Sequence, residues 1–531
     1  MFVANPTNKE ALLSSWSKLL PAKKLAQLQK SKGYHFYEEI FSKIEEEDFS
    51  VLYSKKHSGA NSAVNCLVGA FLLCHHRNWS HEELDYQLSF NIEARVAVGL
   101  KDLEEVPFVM RTFYNFLNRL TTYHKETGKN LLQGVFDKLT TSQLEKLGIK
   151  TNIQRTDSVL LNSSIRSYSR LALLVEVISR LYKVLSPADQ SRYDSILKPY
   201  LVGGEKYVYS INGSDRVTKL EYLAIVYYKL YTNLQATYAA EPLFQIFERV
   251  YQEHFKAVAV SSESVHIVPL ELRDKTELSS GTLQSPDDLE ATYRTKRKTA
   301  YQGYVGLGVE TCHPDNGINL VTQVDVAPNN IDDSVLLTRN IDQIIEKTPD
   351  IEELHQDGGF GCQQMDQKAE ENGIILVQTA VKGRDAQVPF SIEGTVEQGF
   401  EVSCPNEEQP SVKAEKAKKN YKANFDLATC QTCPFKDNCP AFKGQNAKQT
   451  FAVFRFTLED SQRQKRNKSI QKIPDERKTI RSGVENLMGR MHRGEKHTGK
   501  LRVRGLFKCQ LYGIAMGIVV NFERIFSYLY A

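Results

Sequence analysis

The chain has little net charge. Its 68 Lys+Arg against 64 Asp+Glu leave a formal +4 over 531 residues, so a nucleic-acid partner has to be argued from local clusters and not from the sum. Long apolar runs are missing too. The run LYGIAMGIVV at 511–520 falls well short of the roughly 20 residues a membrane helix needs, so no membrane partner is expected. No basic segment followed by an apolar one opens the chain, and a cytoplasmic protein is expected. In that reducing setting the nine cysteines stay thiols, and clusters among them read as metal ligands before disulfides. What is present is ordinary for a globular protein. At 41% hydrophobic and 25% charged, a chain of this length can bury a large core and hold several domains, or one domain with large insertions.

Cations gather in one place, residues 479–508, TIRSGVENLMGRMHRGEKHTGKLRVRGLFK. On a continuous helix, Arg481, Glu485, Gly489 and His492 share a face. A helix needing only a surface ion pair does better with the acid before the base. Here Arg481 comes first, which hints at a site. Downstream stand Arg490, Arg493, Lys496, Lys500, Arg502, Arg504 and Lys508 against the single acid Glu495, a density suited to a polyanion. A solvated charged helix is the plain alternative.

Residues 1–150 read as helical. The stretch NSAVNCLVGAFLLCHH (61–76) is apolar nearly all round and reads as a buried helix. Ser80 with Glu83 predicts a capping box before EELDYQLSF, and Pro107 is placed to start PFVMRTFYNFLNRL (107–120). A helical bundle accounts for this region, and a DNA-binding or dimerisation module is the functional version of it. The first strand predicted is TDSVLLN (156–162), with Asp157 at its start; a carboxylate there also caps turns. Helical patterns follow at 170–185, 220–234 and 243–255, too much chain for a loop and so a helical insertion. A polar, Ser-rich stretch at 261–288 reads as a linker or a loop beside the site.

Strands are then predicted at 304–312 and 318–327 around a Pro-Asp-Asn-Gly turn, followed by a helix at 332–347 opened by Asp332. In IEELHQDGGFG (351–361) a strand ends in Asp357 and two glycines. That pattern lets a metal or phosphate approach the backbone, and it is also an everyday turn. A short helix ends at Asn372-Gly373 before the buried strand 374–383. Without the insertion, this order is a mixed sheet with helices on its faces.

Between Asp357 and Glu485 lie Cys404, Cys430-x-x-Cys433 and Cys439. Four thiolates can close a tetrahedral structural zinc site, and a redox dithiol or unligated thiols are the alternatives. The basic tract 411–424 among them suits a DNA backbone or a solvated loop. Cys66, Cys74, Cys312, Cys362 and Cys509 lack such spacing and read as packing residues.

The segment RSGVENLMGRMHRGEKHTGKLRVRGLFKCQLYGIAMGIVVNFERI (481–525) resembles the C-terminal end of bacterial insertion-sequence transposases of the DDE type. The Arg155-x-Asp157-Ser158 motif, the segment DGGFG (357–361), the order of N-terminal helices around LSFNIEARVAVGL, and the cysteine pattern CPN followed by CQTCPFKDNC extend the resemblance from about residue 60 onward. It implies an α/β catalytic core of RNase H-like fold over 151–531. That core would carry a helical insertion at 163–260 and a cysteine-bearing insertion at 384–460, behind a helical N-terminal domain at 1–150 that binds DNA or dimerises. It implies Asp157, Asp357 and Glu485 as the catalytic acids, holding Mg²⁺ or Mn²⁺, with structural Zn²⁺ at the cysteines. The expected DNA contacts are Arg481, His492, Arg490, Arg493, Arg502 and Arg504.

DNA ends and target DNA are the implied partners, and a homodimer is implied because two ends are paired. Relatives often carry a Tyr three residues before this Arg and a Lys seven after the Glu; here those positions hold Lys478 and His492. Some relatives extrude a base on an aromatic of the cysteine-bearing insertion. Trp16 and Trp79 both lie outside it, so Phe or Tyr would serve. A nuclease without strand transfer and a catalytically dead DNA-binding descendant are the rivals.

Overall fold

The computed structural model describes the chain apart from residues 1, 6, 8, 54–60, 210, 212–214, 259–267, 379–386, 407–409, 418–419, 443–449 and 531. The end of the strand expected at 374–383, part of the Ser-rich stretch, and two residues of the basic tract lie outside the described residues.

At the centre is a mixed sheet of β1 (Ile153–Asn162), β2 (Thr292–Lys296), β3 (Thr299–Thr311), β4 (Val321–Pro328), β5 (Glu353–Gln356) and β6 (Ile375–Gln378). The order is β4-β3-β1-β5-β6, with β2 paired to the first residues of β3. Strands β4, β3 and β1 are antiparallel neighbours, while β1, β5 and β6 run parallel. Parallel neighbours need a crossover helix. Helix α8 (Asp333–Lys347) leads from β4 into β5, and α9 (Gln363–Glu371) joins β5 to β6. The short helix ends as expected, with Gly373 at φ +68°.

Side chains alternate across each strand, so the sheet has two apolar faces. Leu160, Val305, Leu307, Val309 and Leu354 pack under α8 and α9. Val159, Leu161, Tyr304, Val324 and Val326 share the opposite core with α11 (Val484–Met491), α12 (Leu506–Leu529) and the N-terminal helices. Of those helices, Val64–Arg77 is buried nearly all round, as its composition predicts. Ser80 caps the next one by accepting the Glu83 N–H. The third begins at Met110, beyond the start that Pro107 suggested.

Two segments carry cores of their own. Helices α4 (Arg170–Tyr182), α5 (Pro187–Tyr209), α6 (Arg216–Tyr238) and α7 (Pro242–His254) interrupt the sheet after β1 and pack around Leu174, Tyr227 and Phe247. After β6, two small three-stranded sheets enclose Phe390, Phe400, Phe425 and Phe456. The helix α10 (Leu458–Lys472) then leads back toward α11.

Candidate active site

Asp157 lies within β1 and not at its start, because the strand begins at Ile153. Arg155 pairs with His355 in the parallel β1–β5 ladder. Two residues farther along, that register sets Asp157 beside Asp357, the first residue after β5. On its other side Asp157 pairs with Gly308 of β3. A Cβ at Gly308 would come within 2.7 Å of both Leu487 and Met488. The missing side chain lets α11 lie close over the sheet, and α11 carries Glu485. Val484, Leu487, Met488 and Met491 form its buried underside.

The helix is shorter than the sequence suggested. Ile480–Gly483 form a 3₁₀ turn, and α11 starts at Val484. Gly483 and Thr479 both have helical backbone angles, so the turn tightens the chain without redirecting it. Arg481 therefore still reaches Glu485, with Nη1 3.8 Å from Oε1. Its Nη2 donates to Asp157 Oδ2 at 2.8 Å and lies 3.8 Å from Asp357 Oδ2. One guanidinium thus brings together all three predicted acids. Their side chains differ in access: 12% of Asp157 is exposed, 42% of Asp357 and 66% of Glu485. Burial is the largest influence on Asp157 and raises its carboxyl above the usual range. Arg481 and the Ser158 N–H oppose that rise, and the charges of Asp357 and Glu485 add to it.

Around this point lies a frame of ion pairs that sequence reasoning missed. Arg155 is held by the buried Glu310 of β3 at 2.6 Å, and its Nη1 donates to the carbonyl of Ile480 at 2.7 Å. Arg524 of α12 lies 2.7 Å from the other Glu310 oxygen. Arg477 pairs with Glu353, which also lies 3.2 Å from His355. Burial, followed by the charge of Arg155, pushes His355 down to about 4, so that imidazole is neutral near pH 7.

The remaining predicted DNA contacts are spread out. Arg490 and Arg493 both pair with Glu523 of α12. His492 lies 2.8 Å from Glu495. Arg502 and Arg504 stand exposed ahead of α12, with Arg504 3.7 Å from Asp287. Arg481 alone of this set lies among the acids.

Cys404, Cys430, Cys433 and Cys439 line one small cavity with Phe390, Phe425 and Phe442. Burial, and then the neighbouring thiols, push Cys430 up to about 11. None of the nine cysteines is in a disulfide. Among the described residues, no three His, Cys, Asp or Glu side chains lie close enough together to hold a metal ion. The zinc expectation therefore gains no ligand group. For the acids the donor chemistry does fit, since three carboxylates supply the oxygens that magnesium prefers, but they surround a guanidinium. Of the aromatics in the cysteine-bearing insertion, Phe435 and Phe451 are exposed.

No helix among the described residues is long and apolar enough to cross a membrane. Comparison with curated proteins and with solved structures gives no match. Residues 403–526 match a family model described as a transposase DDE domain, a span that takes in Cys404, Cys430, Cys433 and Cys439, Glu485 and most of α12 but neither aspartate. That match supports a DDE-type insertion-sequence transposase.

Proposed function

We propose that the chain is the DNA transposase of an insertion sequence, cutting at the ends of its element and joining them to target DNA. The observation that carries this is that Asp157, Asp357 and Glu485, from a strand, a strand end and a helix, all face the guanidinium of Arg481. The strand order β4-β3-β1-β5-β6 is consistent with the RNase H-like core that such an enzyme uses, and the family match over 403–526 favours the same reading.

Divalent cations bound at these acids would supply an activated attacking oxygen and relief of charge on the leaving oxygen. Asp157, Asp357 and Glu485 are the residues that would hold them. Asp157 is suited to the innermost place among them because it is the most buried of the three and its Oδ1 is fixed by the Ser158 N–H at 2.8 Å. Glu485, with 66% of its side chain exposed, is the acid most open to an approaching DNA. Exposed Arg502, Arg504 and Lys508 would attract its phosphates at longer range. A homodimer follows from the need to hold two ends at once.

The test is incubation of the purified protein with labelled duplexes bearing the element's ends, in Mg²⁺ and in EDTA, beside Glu485→Gln. Nicking that needs metal and is lost in the variant is expected, with joined products when target DNA is supplied. Tight binding of the ends by both proteins with no cleavage by either would replace the enzyme with a DNA-binding protein. Cleavage without joining would make it a nuclease.

A further inference from the structure

Each aspartate of the site gives one oxygen to the backbone. Asp157 Oδ1 accepts from Ser158 N–H at 2.8 Å, and Asp357 Oδ1 accepts from Gly359 N–H at 2.6 Å. The other oxygen of each, and Oε1 of Glu485, face Arg481 at 2.8, 3.8 and 3.8 Å. Only the first of these is a hydrogen bond; the other two are contacts of charge. Arg481 Nε, meanwhile, is buried with no acceptor, although a guanidinium normally uses its donors in a fixed fork. Its position is therefore set by the converging negative charge and not by a complete hydrogen-bond set. The guanidinium acts as a wedge, and the acids around it do not meet closely enough to form a metal-holding group.

We propose that Arg481 is an internal competitor for the divalent cation. It holds the oxygens that a cation would take, so loading the site and expelling the guanidinium are one event. This rests on the reading of the three acids as a metal site. Once expelled, the guanidinium takes the nearest anion, a phosphodiester of the DNA, which it can grip bidentately. Glu485 is exposed, which leaves an open side toward which the side chain can turn. Cation and phosphate then favour the same displaced position of Arg481, and each strengthens the binding of the other.

The experiment is Mn²⁺ binding to the full-length protein, measured by isothermal titration for wild type, Arg481→Gln, Arg481→Lys and Asp157→Asn, with folding checked by circular dichroism. Arg481→Gln is expected to bind Mn²⁺ about tenfold or more tightly than wild type, within the usual range of coupling between sites. Arg481→Lys should fall between, since it keeps the charge but loses the planar fork. The same titrations with Ca²⁺, with and without duplex DNA, should show that DNA raises the affinity of wild type and leaves that of Arg481→Gln unchanged. Inorganic phosphate in place of the duplex distinguishes a general anion effect from one that needs DNA.

Equal or weaker Mn²⁺ binding by Arg481→Gln overturns the competition. Should Arg481→Gln fail to fold, Arg481→Lys decides in the same way. Mn²⁺ binding that is unchanged in Asp157→Asn, or absent from every protein, overturns the metal-site reading itself.

Discussion

The site has two halves built on different principles. Asp157 and Asp357 belong to paired strands, and each has one oxygen fixed by a backbone N–H. Arg481 and Glu485 belong to a 3₁₀ turn and a helix of 8 residues, too short to be stable alone. The strand half is positioned by ladder hydrogen bonds. The helix half is positioned by an apolar underside and by ion pairs reaching in from other elements. A geometry that catalysis needs to within a fraction of an ångström therefore depends, on one side, on side chains that single substitutions can remove.

Arg155 is where the halves meet, and its removal has the largest expected effect. It links β1, Glu310 of β3 and the carbonyl of Ile480, one residue before Arg481. Arg155→Ala leaves the fully buried Glu310 carboxylate with only Arg524, and breaking a buried pair in this way costs about 3–5 kcal/mol. A loss of that size in chemical denaturation is expected, together with loss of DNA cleavage. Arg155→Lys should recover part of the stability but little of the cleavage, since a lysine cannot reach Glu310 and Ile480 with one planar fork. Wild-type denaturation by Arg155→Ala would show that the halves are joined elsewhere.

A smaller change tests the same joint from the other side. A Cβ at Gly483 would lie 2.1 Å from Arg155 Nη1, so Gly483→Ala forces the turn or the guanidinium to move. Overpacking of this kind costs about 1–3 kcal/mol, and a displacement near 1 Å slows catalysis on the order of 10²-fold. Cleavage rates measured on folded protein should fall far more than stability does. Equal, small losses in both would mean that the turn adjusts without disturbing Glu485.

These joints explain what could be read in advance. Asp157, Asp357 and Glu485 were singled out together by the family resemblance; locally, an acid in an apolar strand, an Asp-Gly-Gly at a strand end and an acid within a basic run each have a commonplace reading, and only the fold sets the three around Arg481. The buried helix at Val64–Arg77, the Ser80 cap and the Gly373 cap were legible from local patterns. Arg155 was passed over as part of the motif around Asp157, because its partner Glu310 is brought beside it only by strand pairing. The break at Ile480–Gly483 had one local signal, the Ser482-Gly483 pair, which is a poor helix former and a common kink site. The basic run itself reads as a uniform polyanion surface, yet Arg490, Arg493 and Lys500 are paired with groups of the protein itself. Such partners lie tens to hundreds of residues away, beyond any local period.

Acid should expose a second dependence of the helix half. His76 is buried between Phe36 and Phe522, with Nδ1 3.3 Å from Glu523. Burial, helped by the charges of Arg77, Lys32 and Arg493, pushes it down to about 3, so the contact is not an ion pair near neutral pH. Because its folded value lies below the ordinary 6.5, the unfolded chain takes up the proton first as pH falls. The stability due to the neutral imidazole is complete above about 6.5 and is lost on the way down toward 3, by about 1.4 kcal/mol for each pH unit. At pH 5 the difference is about 2 kcal/mol. Denaturation of His76→Gln, compared with wild type at pH 7 and pH 5, should show a smaller acid loss in the variant. Identical pH dependence would place the acid sensitivity elsewhere.

The smallest expected effect concerns Arg490 and Arg493, which join α11 to α12 through the largely buried Glu523. Both guanidinium groups are more than a third exposed, so solvent screens each pair, and either single Ala substitution should cost no more than about 1 kcal/mol. The double substitution differs in kind. It leaves Glu523 without either arginine, and its loss should exceed the sum of the singles. If these arginines served DNA alone, the singles and the double would weaken DNA binding while leaving denaturation unchanged. If they serve the helix half, the double variant loses stability out of proportion, and cleavage declines with it because α11 carries Glu485. Comparing those two readouts in one double-mutant cycle separates a surface that meets DNA from a strut that holds the helix of Glu485.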